Sequence, residues 1–105
     1  MARAERGEVW MVDLGLAAKV RPAVVVSVAF LDKERALYAI VPHTTALWGT
    51  RFEARVAVRW LEEGAFDAQG VRPVPSRVFM RLGALSAAQR VEIEAALGWW
   101  VGMQA

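Results

Sequence analysis

The chain has 105 residues, a mass of 11.6 kDa and a formal net charge of +2, so it fits a single domain with a modest core. The absence of cysteine excludes a disulfide framework, a thiol nucleophile and a thiolate metal site. Arginine supplies eleven of the 13 basic residues, and its planar guanidinium suits phosphate groups, which makes a nucleic acid one candidate partner.

The composition is apolar for a small soluble domain. Hydrophobic residues make up 56% and the mean hydropathy is +0.28, so we expect part of the surface to be buried in a homodimer. No apolar run reaches the roughly 18 residues of a membrane span, and MARAERGEVW carries charges where a signal peptide is apolar. We therefore expect no membrane segment and a cytoplasmic location.

Four segments are predicted to be strands, and their short connections favour antiparallel pairing because crossover helices do not fit. The first, Glu8–Leu14, is apolar, and after the loop Gly15–Val20 comes Arg21–Ala29, which is rich in valine. The third is Ala36–Val41. In the fourth, Phe52–Arg59, apolar and polar residues alternate as in a strand with one buried face.

The C-terminal part is predicted to end in a helix. Before it, Gly64–Val74 contains two glycines and a proline, so at most short or edge pairing is expected. Ser86 and Gln89 have the spacing of a capping box, and a helix is predicted from about Ala87 to Trp100 because apolar residues follow at helical spacing. The expected fold class is α+β, a small curled antiparallel sheet closed by this helix.

The sequence lacks the motifs of the common catalytic centres. A metal site is not expected, since the chain has one histidine, no cysteine and carboxylates without a recognisable ligand spacing. Phosphate-binding glycine loops and serine-hydrolase elbows do not occur in the sequence. We therefore expect a function that requires no cofactor.

Two polar strand ends remain as a candidate site: Arg21 with its following proline, and the PHTT sequence of residues 42–45. If these strands are antiparallel neighbours, the guanidinium of Arg21 comes close to the hydroxyl of Thr44, and the two donors can hold a phosphate without a metal. The alternative is structural, with Arg21 as a solvated strand end and Thr44 as a turn cap. Spacing alone leaves both open.

His43 is the chain's only histidine, and its side chain could titrate near neutral pH and transfer a proton. Strand alternation argues against that role, because Thr44 projects to one face while His43 and Thr45 share the other, unless the chain twists at Pro42. A hydrogen-bonded strand residue is the alternative.

Five segments occur in an order and spacing that resemble the MazF/PemK toxins of bacterial toxin–antitoxin pairs. They are RGEVWMVDL, RPAVVVS, VPHTT, GTRFE, and Gln69 ahead of RLGALS, and together they cover nearly the whole chain. The resemblance implies a small curled, barrel-like antiparallel sheet of the CcdB/MazF type with a C-terminal helix. It also implies a homodimer, a cognate antitoxin protein as partner, and cleavage of single-stranded RNA at short sequences without a metal.

The family's active-site positions carry over to Arg21 and Thr44, with Thr45 as a neighbour and His43 as a candidate auxiliary residue. In that reading the 2′-hydroxyl of one nucleotide attacks the adjacent phosphate and leaves a 2′,3′-cyclic phosphate and a 5′-hydroxyl. Arg21 is expected to stabilise the negative charge on the phosphoryl oxygens, since a guanidinium is a cationic donor and makes a poor general base. Thr44 is expected to donate a hydrogen bond to the same oxygens.

The RNA-binding residues that the resemblance implies are Lys19, Trp48, Arg51, Arg55 and Gln69. The sequence departs from the family at three places. The loop Gly15–Val20 is shorter than usual, with Lys19 as a partial substitute for its missing contacts. The family's Gln-x-Arg element reads Gln-Gly-Val from Gln69, and Arg72 comes one residue late, on the other face by alternation. Trp48 stands where relatives often have arginine, where it either contacts a base or a partner, or packs under the loop.

Two other functions are considered. A CcdB-like toxin that binds DNA gyrase through a C-terminal helix carrying tryptophan is suggested by Trp99 and Trp100. A catalytically inactive interaction module of the same fold is suggested by the short first loop and the displaced arginine.

Overall fold

The computed structural model describes residues 3–15, 20–76 and 79–103, and these ranges contain seven strands, one 3-10 turn and one α-helix. The strands are β1 (Glu8–Asp13), β2 (Val20–Val25), β3 (Leu37–Thr44), β4 (Glu53–Ala54), β5 (Ala65–Asp67), β6 (Arg72–Pro75) and β7 (Phe79–Ala84). The 3-10 turn covers Ala68–Gly70, and helix α1 covers Ala87–Val101. All strand pairs in these ranges are antiparallel, as the short connections predict.

The sheet curls around its longest strand, β3. The strand order is β4-β5-β3-β2-β1-β7, and β6 also pairs with β3. One edge of β3 pairs with β2, while the other pairs first with β6 and then, at His43 and Thr44, with β5. Because two short strands share one edge, the sheet bends where β3 passes from one to the other. The expected fold class, a curled antiparallel sheet with a C-terminal helix, is confirmed.

Each face of the sheet buries its own apolar cluster. On the helix face, Val24 and Val41 pack in one cluster with Ile93 of α1. On the opposite face, Ala23 and Ile40 belong to a second cluster, to which α1 contributes no residue among those described. These two faces, named here the helix face and the opposite face, follow from the strand period of two residues.

Helix α1 begins and ends at the residues that the sequence indicates. The Ser86 hydroxyl accepts a hydrogen bond from Gln89 N at 3.2 Å, and Ser86 N donates to Gln89 Oε1 at 2.8 Å, which confirms the capping box. Gly102 ends the helix in the left-handed region with φ +74°. Among the described residues, no helix has the length and apolar character needed to span a membrane.

The prediction of a strand over Phe52–Arg59 is wrong beyond its start, because only Glu53–Ala54 pairs. The alternation predicted the burial correctly, since Val56 and Val58 are buried. Their backbone has no ladder partner because the neighbouring strand β5 begins at Ala65, which leaves β4 unpaired after its first residues. The alternation of apolar and polar residues in this segment therefore indicated a buried face but not a paired strand.

The other strand boundaries differ in smaller ways. Strand β2 ends at Val25 rather than Ala29, and β3 continues past the predicted Val41 through Thr44. The expected short pairing within Gly64–Val74 is present as β5 and the start of β6. Strand β7 was not predicted. A Cβ at its Gly83 would lie 2.7 Å from the Trp60 ring, so a tertiary contact explains the glycine that interrupts the apolar pattern. In the predicted loop before β2, residues 16–19 lie outside the described residues.

Candidate functional site

The β2–β3 ladder ends at the pair Ala23–Pro42, two residues short of Arg21 and Thr44. The ladder pairs Ala23 with Pro42, and both strands continue beyond this pair, β2 back to Val20 and β3 to Thr44. Continuing the same register by two residues brings Arg21 across from Thr44. Directly opposed residues of an antiparallel pair project to the same face of the sheet. The two residues therefore share a face at the end of the β2–β3 ladder.

That face is the opposite face, away from α1. Arg21 pairs on its other side with Val12 of β1, whose side chain is buried in the cluster of the opposite face. Arg21 itself is exposed and Thr44 is half-buried. The guanidinium is thus presented to solvent at the rim of this face, where it can hold an anion.

The Thr44 hydroxyl caps the turn, which is one of the two roles that the sequence left open. Its Oγ1 accepts a hydrogen bond from Ala46 N at 3.1 Å, which caps the turn after β3. A hydroxyl has one donor proton besides its lone pairs, so this contact leaves the proton of Thr44 able to donate. The hydrogen bond in the turn fixes the position of the Thr44 oxygen and leaves the hydroxyl proton available to donate.

His43 lies on the helix face, with its side chain turned away from Thr44. The ring contacts Phe66 edge-on, with centroids 5.0 Å apart and planes at 73°, and the residue is only 5% exposed. Burial lowers the pKa of His43 below its ordinary value of 6.5, and the negative charge of Glu62 opposes this in part. The imidazole is therefore held mainly neutral at pH 7.

A cleft of about 360 Å³ brings His43 and Thr45 together with Arg21, and Glu62, Trp60 and Leu82 also line it. Thr44 is not among its lining residues, as strand alternation predicts for the two threonines. Arg21 is common to this cleft and to the cross-strand arrangement with Thr44. A larger cleft of about 500 Å³ nearby is lined by Arg55, Glu62 and their neighbours, and it contains none of the candidate catalytic residues.

The loop that follows β3 presents Trp48, whose side chain is held in solvent with 88% of the residue exposed. The carboxylate of Glu53 accepts hydrogen bonds from three successive backbone N–H groups, Trp48 at 2.9 Å, Gly49 at 2.7 Å and Thr50 at 3.1 Å. The hydrogen bond from Trp48 N is the main cause that lowers the pKa of Glu53, helped by the other two. The loop is therefore fixed from within, while the indole contacts little of the protein.

The remaining residues that the family resemblance implies for RNA line different clefts or stack on the protein's own rings. Trp48 and Gln69 line a cleft of about 300 Å³ with Thr50, Glu53 and Asp67. Arg51 stacks on Phe52 with its guanidinium carbon 4.6 Å from the ring centroid, and Arg55 borders the larger cleft. Lys19 lies outside the described residues.

Comparison with known proteins assigns the family. The sequence model of the family described as "PemK-like, MazF-like toxin of type II toxin-antitoxin system" matches residues 5–101. The chain belongs to this family. The resemblance that the sequence motifs indicate is thereby confirmed, and the toxin–antitoxin class follows from it.

Solved structures support the family's fold. MazF from Deinococcus radiodurans is 24% identical with a TM-score of 0.84, over 98% of this chain and 100% of that one. An endoribonuclease in complex with its cognate antitoxin, from a mycobacterial species, is 21% identical with a TM-score of 0.82, over 97% and 98%. The Mycobacterium tuberculosis toxin MazF-mt6 is 20% identical with a TM-score of 0.77, over 93% and 99%. The similarity spans whole chains, so this toxin-family domain has the same architecture throughout.

Sequence reasoning about this toxin-family domain missed the role of Glu53. Its signal is a carboxylate placed a few residues after a glycine turn, where it can return to unpaired N–H groups. Glu62 and Trp60 of the His43 cleft were also missed, because they are distant in sequence from β2 and β3 and no local pattern joins them. Within the described ranges, no group of three or more histidine or acidic side chains is placed to hold a metal ion.

Proposed function

We propose that this member of the toxin family is an endoribonuclease that cleaves single-stranded RNA at Arg21 and Thr44 without a metal ion. The observation that carries the proposal is the β2–β3 register, which brings the exposed Arg21 across from Thr44 when it is continued two residues beyond its last pair. The structural neighbour described as an endoribonuclease supports the same reaction class. The substrate is RNA rather than DNA, because the nucleophile is the 2′-hydroxyl.

In the proposed reaction, a bond forms between the 2′-oxygen and phosphorus while the bond from phosphorus to the 5′-oxygen breaks. The products are a 2′,3′-cyclic phosphate and a 5′-hydroxyl. Negative charge develops on the non-bridging oxygens of the phosphate as the five-coordinate transition state forms. The guanidinium of Arg21 stabilises this charge with paired N–H donors, and the hydroxyl of Thr44 donates to the same group.

The 2′-hydroxyl loses a proton and the 5′-oxygen gains one during the reaction, so the reaction consumes and releases no net proton. We assign neither transfer to His43. Its ring packs against Phe66 on the helix face, and although Arg21 lines the same cleft as His43, we propose that the phosphate lies on the opposite face with Thr44.

The chemistry is tested with an RNA oligonucleotide and its twin carrying one 2′-deoxy substitution at the scissile nucleotide. We expect the RNA to be cut in excess EDTA, and the twin to stay intact at that position. Mass spectrometry of the products should show a cyclic phosphate and a 5′-hydroxyl. Cleavage that depends on Mg²⁺, or that leaves a 5′-phosphate, contradicts the mechanism.

We also propose a cognate antitoxin and a homodimer for this chain. Solved structures of Deinococcus radiodurans MazE-MazF and of the mycobacterial endoribonuclease with its antitoxin support the first proposal. An acidic antitoxin segment that pairs with Arg21, Arg51 and Arg55 would block RNA from the site. Light scattering at micromolar concentration should return twice the 11.6 kDa chain mass, and the monomer mass across that range contradicts the dimer.

The gyrase-binding function has less support. The matching family is the PemK/MazF family, and Trp100 packs edge-on against Phe52 with centroids 5.3 Å apart, so one of the two helix tryptophans has a structural role. An assay for RNA cleavage separates both alternatives from the proposal, since neither a gyrase binder nor an inactive module cuts RNA.

A further inference from the structure

Four residues after Thr44, the chain presents a cleft whose chemistry the reaction at Arg21 does not use. Its walls are Trp48, Thr50, Glu53, Asp67 and Gln69, and its volume is about 300 Å³. Four residues of extended chain span at most about 14 Å. One RNA strand is long enough to place a phosphate at Thr44 and a neighbouring nucleotide in this cleft.

Trp48 provides an aromatic surface that is already in position. Glu53 holds the backbone N–H groups of residues 48–50, so little conformational entropy remains to be lost when a ligand contacts the loop. The indole is 88% exposed and rests on no core cluster. An exposed aromatic ring on a backbone that is held in place is the kind of platform on which unpaired bases stack in single-stranded nucleic acids.

Opposite this platform, Asp67 and Gln69 supply polar atoms. One oxygen of Asp67, Oδ1, accepts from Gln69 N at 3.1 Å, whereas Oδ2 has no donor among the described residues. The amide of Gln69 is exposed, and no hydrogen bond of that side chain is present in the described part of the chain. Both oxygens of Glu53, by contrast, are already occupied by the loop.

The strand register places two carboxylates side by side. Glu53 and Asp67 are direct cross-strand partners in the β4–β5 pair. Both oxygens of Glu53 accept backbone N–H groups of the loop, whereas Asp67 keeps one oxygen without a donor among the described residues. The negative charge of Asp67 is therefore suited to a donor from outside the chain.

Resting on the proposed ribonuclease function, we propose that this cleft is a base-binding subsite that selects guanine next to the cleaved phosphate. The Watson–Crick edge of guanine has two adjacent donors, N1–H and the N2 amine, which match the two oxygens of a carboxylate. Cytosine and adenine offer a single amine there, and uracil places a carbonyl on each side of its one N–H. Asp67 accepts from guanine, Gln69 donates to its O6, and Trp48 stacks on the ring.

An acidic antitoxin segment is the competing occupant of this cleft. The carboxylates that line the cleft favour the guanine base over an acidic peptide. Two carboxylates in the cleft repel an acidic peptide, whereas a guanine edge brings donors to them. Arg51 and Arg55, which both follow the loop in sequence and are exposed, are the cations available for the RNA phosphates outside the cleft.

The position of the base is found first, by sequencing the products of a random RNA library. We expect guanine to be enriched at one fixed position within a few nucleotides of the cut. Cleavage without guanine enrichment overturns the subsite and leaves the ribonuclease function standing. The Asp67→Asn protein should lose the enrichment, while Glu92→Gln, which removes the same charge from an exposed position on α1, should keep it.

A binding assay tests the base-binding subsite independently of RNA cleavage. Fluorescence anisotropy with an oligonucleotide carrying a 2′-deoxy scissile nucleotide compares guanine with inosine, which lacks the N2 amine. Inosine should raise the Kd of the wild type at least about fivefold and should have no effect on Asp67→Asn. Trp48→Leu should weaken binding at least about fivefold, and Trp99→Leu, a matched exposed tryptophan on α1, should not.

The outcomes distinguish the two proposals. Guanine-dependent binding without any cleavage supports the subsite and overturns the ribonuclease. Equal affinity for guanine and inosine overturns the subsite, as does a Trp48→Leu protein that binds RNA normally and loses only its antitoxin. A protein that neither binds nor cuts RNA overturns both.

Discussion

At the end of β3, two adjacent residues belong to different environments. Thr44 is half-buried on the opposite face, across from the exposed Arg21, and its hydroxyl proton is available. His43 is on the helix face, 5% exposed and packed against Phe66, with its pKa lowered by burial. One peptide bond separates a half-buried hydroxyl from an imidazole packed against the core.

The comparison shows that residue type alone does not locate the chemistry. Histidine is the side chain that titrates nearest neutral pH, which makes His43 the obvious candidate for proton transfer. The strand period assigns it instead to the face that α1 covers. We therefore place the reaction on the face where the less reactive side chains, an arginine and a threonine, are accessible to a substrate.

We expect the largest loss of RNA cleavage from a substitution at Arg21. Arg21→Lys keeps the positive charge but loses the planar pair of donors, so RNA cleavage should fall at least about a hundredfold. The kcat/KM measured on a fluorogenic RNA tests this. Arg35→Lys, at an exposed position in the turn before β3, should retain wild-type activity. An Arg21→Lys protein with near wild-type activity shows that charge alone suffices and contradicts the role of the guanidinium fork.

The two threonines provide a matched pair on different faces. Thr44→Val removes the hydroxyl and keeps the shape, and we expect a loss of about a hundredfold in kcat/KM. Thr45→Val makes the same change at a residue that lines the His43 cleft, and it should cost less than about threefold. Circular dichroism of both proteins checks that the strand persists. Equal losses from the two variants would show that the faces are not separated as we infer.

A substitution at Gly64 should affect both faces together. A Cβ there would collide with the carbonyl oxygen of Thr44 and would lie 2.9 Å from Cε1 of His43. Gly64→Ala should therefore lower the free energy of unfolding by about 1–3 kcal/mol, and it should reduce kcat as Thr44 shifts. Urea titration and a cleavage assay measure the two effects. Gly15→Ala is the control variant, because its added Cβ meets no atom within 4 Å, although φ is +85°. Any backbone strain in this variant is local to the loop, so β3 should stay in place.

The smallest expected effect on activity is at the histidine. His43→Asn should cost less than about tenfold, and the pH–rate profile should have no limb near pH 6–7 in either protein. If His43→Asn abolishes cleavage and removes such a limb from the profile, His43 is the proton shuttle and the assignment to Arg21 and Thr44 is incomplete.

His43 should instead affect stability as a function of pH. Because its pKa is lower in the folded chain than the ordinary 6.5, the unfolded chain binds the proton more readily. The wild type is therefore relatively stable above pH 6.5 and loses stability as the pH falls below it. The drop in melting temperature from pH 7.5 to 5.5 should be smaller for His43→Asn, which cannot titrate. A drop of equal size in both proteins contradicts the pKa shift.

Local patterns predicted a large part of this fold. The capping box of Ser86 and Gln89 identified the start of α1, because capping depends on residues that are neighbours in sequence. Valine-rich runs identified β2 and β3 for the same reason. The segment after Ala54 was misassigned, since strand pairing depends on where β5 begins, and no local pattern carries that information. Strand β7 was missed because its Gly83 is explained only by the Trp60 ring above it.

The sequence by itself determined β1, β2, β3, the helix, the family and the two residue types at the candidate site, because strand period, capping and motif order are local properties of the chain. The tertiary structure decided which of the candidate residues meet. Register placed Arg21 and Thr44 on one face and His43 on the other, and the β4–β5 pair brought Asp67 and Gln69 beside Trp48. These are contacts between residues about twenty positions apart, and they are fixed by the pairing of strands and by the burial of both faces of the sheet.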